Sequence, residues 1–127
     1  MSEAAQTWAE QSQYDLDTAR AMLASGRYLY VLFCCQQAVE KALKALIVRR
    51  TAELPPRLHN LLRLAECAGV QLDIDQKRFL GELSAYYIHS RYPEEIKTSA
   101  SAITREIADG TLGTTEETIQ WLFSILK

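Results

Sequence analysis

Residues 28–47 read Tyr-Leu-Tyr-Val-Leu-Phe-Cys-Cys-Gln-Gln-Ala-Val-Glu-Lys-Ala-Leu-Lys-Ala-Leu-Ile, and no other stretch narrows the possible folds as far. At about 100° per residue, Tyr28, Val31, Leu32, Cys35, Ala38, Val39, Ala42, Leu43, Ala45 and Leu46 fall on one broad arc. Gln37, Glu40, Lys41 and Lys44 gather on the opposite side, but so do Phe33, Ile47 and Val48. Most of the circumference is therefore apolar. Such a helix belongs in the middle of a bundle, and its polar strip needs partners. The strip has two readings. Glu40 and Lys44 form an i,i+4 pair in the favourable order, which on a solvated face is worth only a few tenths of a kcal/mol. Set on an otherwise apolar helix, the same groups are instead paired internally or functional.

The chain has 127 residues, which fits one domain spanning 1–127. A chain of that length buries roughly two-thirds of its unfolded surface, so it needs no metal or disulfide to hold a core. Net charge is −2, which argues against binding long duplex nucleic acid by charge alone, because counterion release needs a large cationic surface. Gln36, Gln37, Glu40 and Lys41 interrupt the best candidate for a membrane span, and Met1 to Gln11 carry no signal-peptide core. A cytoplasmic protein with no membrane partner is expected. Cys34 and Cys35 are helix neighbours pointing about 100° apart, so they neither bond each other easily nor grip zinc together. With Cys67 they read as small buried hydrophobes in a reducing compartment.

Helical periodicity runs through the whole chain. A first helix over about Ser2 to Ala24 places Ala5, Trp8, Ser12, Leu16, Ala19 and Leu23 on one face, and Gly26 stops it. The central helix follows, to about Arg50, and Leu54-Pro55-Pro56 is an extended break. Leu58, Leu61, Leu62 and Ala65 make a short third helix that ends near Gly69. Asp73 or Asp75 caps a fourth helix, Asp73 and Gln76 having capping-box spacing; its core arc is Phe79, Leu80, Leu83, Tyr86, Tyr87 and Ser90, and Pro93 ends it. Ile96, Ala100, Ile103 and Ile107 allow a further helix. Gly110 and Gly113 read as a second break, after which Thr114 or Thr115 starts a last helix carrying Ile119, Leu122, Phe123 and Leu126. Trp121 and Ile125 fall off that face and mark either a self-association surface or a wider core stripe. No strand-period run with a hairpin signal occurs. The expected fold is all-α, an up-and-down bundle of four or five helices.

His59 opens the third helix in this reading, where it either satisfies backbone and water or faces an anion attracted to the helix end. Arg49, Arg50, Arg57 and Arg63 surround it in sequence as a modest basic patch or as scattered surface charges. Arg91 lies one turn beyond Tyr87. There a guanidinium either grips a phosphate or carboxylate bidentately or bonds the last carbonyls of its own helix. Pro56 and Tyr86 stand three residues before the two histidines, so the Glu-x-x-His of a di-metal bundle is missing. Phosphate-binding glycine loops, Cys-x-x-Cys and nucleophile elbows are missing as well.

Gln-Ala-Val-Glu-Lys-Ala-Leu-Lys-Ala-Leu at 37–46, His59 followed by Leu61 and Leu62, and Ser-Arg-Tyr-Pro at 90–93 together resemble the HEPN domain family, named for higher eukaryotes and prokaryotes nucleotide-binding. Asp15-Leu16 with Ala19, then Gly26 and Tyr28, fit the same pattern, so the resemblance covers roughly residues 5 to 93. It implies a helical bundle, usually dimeric, that often accompanies a minimal nucleotidyltransferase as one half of a toxin–antitoxin pair. Active members are metal-independent ribonucleases with an Arg-x4–6-His motif, in which histidine moves the proton and arginine stabilises the phosphorane charge. Here the positions that motif requires after Arg91 are Ile96, Lys97 and Thr98, and no histidine follows His89. The chain thus resembles the subgroup with Arg-Tyr-Pro and no such histidine.

The resemblance then implies a homodimer or higher assembly that binds a nucleotide or RNA, or a minimal nucleotidyltransferase, and does no catalysis alone. Arg91 would hold phosphate, Tyr92 or Tyr87 would stack on a base, Glu40, Lys41 and Lys44 would shape the groove, and His59 would sit at its edge. No catalytic residue, metal or cofactor is assigned. Two alternatives stand beside it: a ribonuclease with a displaced base such as His89 or His59, and a structural adaptor whose strip is only an internal ion-pair network.

Overall fold

The computed structural model describes residues 2–89 and 102–126, with side chains for 2–86 and 102–126. Helix α1 spans Glu3–Ala24, α2 Tyr28–Thr51, α3 Leu61–Ala68, α4 Ile74–His89 and α5 Arg105–Ile125, and no strand occurs among the described residues. α2 packs on each of the other four helices, as its nearly uniform apolarity demands. The all-α bundle is therefore built around one central helix. No helix among the described residues is long and apolar enough to cross a membrane.

Local chemistry accounts for the helix ends. Ser2 caps α1 by accepting from the Ala5 N–H at 3.2 Å, and Gly26 takes φ +77°, which favours glycine and lets the chain turn into α2. Ala5, Ser12, Leu16 and Ala19 form the buried face of α1, and the Ser12 hydroxyl donates to the Ala38 carbonyl at 2.7 Å. Asp73 and Gln76 make the reciprocal capping box of α4, each side chain accepting from the other's backbone N–H at 2.8 Å.

The third helix begins later than its apolar spacing suggests. Leu58 and His59 precede it, because Asn60 takes the cap and accepts from the Arg63 N–H at 3.1 Å. Two long-range bonds fix its ends. The Ser84 hydroxyl of α4 accepts from the Leu61 N–H at 3.0 Å, and the Arg50 guanidinium of α2 donates to the Ala68 carbonyl at 2.7 Å.

The largest departure from the sequence reading is α5. Instead of breaking at Gly110 and Gly113 and starting afresh at Thr114 or Thr115, it begins at Arg105, capped by Thr104, and runs through both glycines. Ala108, Leu112, Thr115, Ile119 and Leu122 are buried along one face. That continuous packing outweighs a glycine penalty of about 1 kcal/mol each. Ile107 accordingly belongs to this helix. Trp121 and Ile125 are half-buried against the core. The expected stop of α4 at Pro93 and the further helix through Ile96 and Ala100 fall outside the described residues.

Candidate functional site

A seam of polar side chains crosses the buried face of α2. Gln36, Glu40 and Lys44 stand one turn apart at i, i+4 and i+8, and all three are buried. The solvated-face reading of Glu40 and Lys44 therefore does not hold. Glu40 is the hub. Its Oε1 accepts from Gln36 Nε2 at 3.1 Å and lies 3.0 Å from His59 Nδ1, while its Oε2 accepts from Lys44 Nζ at 3.1 Å. Gln36 Nε2 also donates to the His59 carbonyl at 3.1 Å, and Gln37 Nε2 donates to Gln36 Oε1 at 3.2 Å. The Lys44 ammonium stands 5.4 Å from the centre of the Trp8 ring, in cation–π range.

The seam has one open end. The His59 side chain is 47% exposed, whereas those of Glu40 and Lys44 are 5% and 8%. An ionised carboxylate can only accept, so His59 Nδ1 carries the proton it shares with Glu40. The tautomer of the neutral ring follows: its lone pair is on Nε2. An imidazole held this way accepts at Nε2 when neutral and donates there when protonated.

Of the residues named from the sequence, Glu40, Lys44 and His59 come together. Lys41 does not join them; its ammonium lies 2.7 Å from Asp15 Oδ2 on α1. Neighbouring helix positions diverge by about 100°, so Glu40 and Lys41 could not share one seam. The side chains of Tyr87, Arg91 and Tyr92, and that of His89, lie outside the described residues. His59 does not open α3, and its Nδ1 faces the Glu40 carboxylate rather than that helix's N–H groups. Gln36, Trp8 and Asp15 were missed. The i−4 relation of Gln36 to Glu40 was a usable signal, but Trp8 and Asp15 come from α1 and no spacing within α2 reveals them.

Other candidates resolve into structure. Arg50 is spent on the end of α3. Arg49 lines an open groove of about 640 Å3 between α1 and the ends of α2 and α5, with Phe123 and Leu126 in its wall and no residue of the seam. Burial pushes the Cys35 thiol up to about 12, so it is an inert core group. Cys34 is half-buried and Cys67 is exposed, contrary to its expected burial.

A family model described as the HEPN domain matches residues 5–126. TT1696 from Thermus thermophilus is a similar solved structure, with TM-score 0.83 and 27% identity over 97% of this chain and 98% of that one. A second is ST0689, an archaeal HEPN homologue, with TM-score 0.79 and 25% identity over the full length of both chains. No curated protein matches the chain.

Proposed function

Because this chain belongs to the HEPN domain family, we propose that it is a binding protein rather than an enzyme on its own. In this reading a homodimer takes a nucleotide, or a minimal nucleotidyltransferase, at the end of the seam where His59 is exposed. Pairing with the transferase makes it one half of a toxin–antitoxin system.

The observation that carries the proposal is the half-exposed imidazole anchored on a buried, fully committed carboxylate. Burying Glu40 and Lys44 costs desolvation that well-packed apolar side chains would avoid. Stability alone gives little reason to keep such a pair, whereas an imidazole aimed from a rigid core suits ligand contact. The ribonuclease alternative lacks support, since no histidine follows Arg91 at the spacing the motif needs.

Calorimetry with ATP, and separately with a minimal nucleotidyltransferase, tests the reading. Binding of either that weakens at least about tenfold in His59→Ala supports it. Failure to bind both at high micromolar concentration refutes it. Metal-free cleavage of RNA that disappears in His59→Ala would replace it with the ribonuclease.

A further inference from the structure

Between the first turns of α4 and the second half of α5 lies a slot of about 300 Å3, lined by Asp75, Gln76, Phe79, Thr114, Glu117, Thr118 and Trp121. It is separate from the seam. Phe79 and Trp121 are half-buried on the core and supply two aromatic surfaces. Asp75 and Glu117 supply carboxylates. The Asp75 side chain is 87% exposed and its ion pair with Arg78 is stretched to 3.9 Å, while Glu117 has no ion pair among the described residues.

The remaining polar groups tilt the chemistry further. Thr114 and Thr118 donate their hydroxyl protons to the Gly110 and Thr114 carbonyls at 3.1 and 2.8 Å, so what they can still offer is acceptor oxygen. Gln76 Oε1 is occupied by the Asp73 N–H, which leaves its amide as the slot's one side-chain donor besides the indole of Trp121. Carboxylates, threonine oxygens and ring surface still predominate, and no lysine, arginine or histidine is among the described residues that line the slot. Asp75 has a local use, since an acidic group in the first turn favours a helix, but that use does not explain Glu117, which lies in the second half of α5. Two carboxylates beside aromatic rings, with no described cation in the lining, are complementary to a cation with several donors.

We propose that this slot docks an arginine side chain presented by a protein partner, with the guanidinium stacked on Trp121 or Phe79 and hydrogen-bonded to Asp75 and Glu117. A guanidinium fits better than an ammonium, because its plane stacks on a ring while its edge donates to carboxylates. The site is independent of the nucleotide reading, and its residues are not those of the seam.

The test uses the whole protein and the tripeptide acetyl-Gly-Arg-Gly-amide, followed by amide chemical shifts and by Trp121 fluorescence. Trp8→Phe removes the signal of the other tryptophan. Binding with a Kd of about a millimolar, weakened by salt and mapped to residues 75–79 and 114–121, is the expected result. The lysine analogue binds more weakly and the glutamine analogue does not bind. Glu117→Gln, a nearly isosteric change, weakens arginine binding about fivefold, and Trp121→Phe weakens it less. ATP binding is unaffected by Glu117→Gln. Equal binding of the glutamine peptide, shifts elsewhere on the protein, or full affinity in Glu117→Gln overturns the proposal.

Discussion

Glu40 and Lys44 meet at 3.1 Å inside α2, and Arg20 meets Glu116 at 2.8 Å between α1 and α5, so by distance alone the second is the tighter contact. Their surroundings reverse that ranking. The α2 pair is 5–8% exposed and tied to Gln36 and His59, while the Arg20 pair is over 40% exposed and shares its guanidinium with Asp17. Water and salt screen the outer pair, and ordering two long side chains cancels much of its attraction. Inside α2 no solvent can replace a lost partner. What separates the two regions is the cost of removing one member.

Glu40→Ala should show the largest effect. It strands the Lys44 ammonium in the core and takes the carboxylate away from His59 Nδ1, for a loss of about 3–5 kcal/mol in urea unfolding. A loss below about 1 kcal/mol would erase the distinction between the two pairs. The double change Glu40→Leu with Lys44→Met sharpens it. Removing both charges should cost less than Glu40→Ala alone, because no ion is then left unpaired. The same double variant should lose nucleotide binding, which would separate what the seam does for stability from what it does for His59.

On α5, backbone conformation rather than charge sets the balance. A Cβ at Gly110 or Gly113 would meet nothing within 4 Å. Gly110→Ala and Gly113→Ala should each gain up to about 1 kcal/mol and raise Tm, and a loss would mean that the helix is not continuous there. Arg20→Ala should matter least, under about 1 kcal/mol, with the difference from wild type fading in molar salt.

How far the sequence reached divides along the same line. α2 was legible from its apolar arc, and the cap of α4 from Asp73 and Gln76, because both signals are local. Gly110 and Gly113 misled for the same reason: intrinsic propensity marks them as breakers, while the packing of Ala108, Leu112 and Thr115 against the core has no local signature. The seam was half legible. Spacing along α2 pointed to Glu40 and Lys44, but grouped Lys41 with them and left out Gln36. The Trp8 ring over Lys44 and the turn that brings His59 back to Glu40 depend on tertiary contacts that no single helix encodes.

If ligand is met at the exposed end of the Glu40 seam, the His59 imidazole must report it in proton–carbon correlation NMR during an ATP titration, with His59→Gln used to assign the signal apart from His89. Ring shifts at His59 should saturate with ATP and be lost in Glu40→Gln, while the signals of Phe79 and Trp121 stay still. An unmoved His59 resonance in a titration where ATP binds, with shifts confined to other surfaces, would contradict that location.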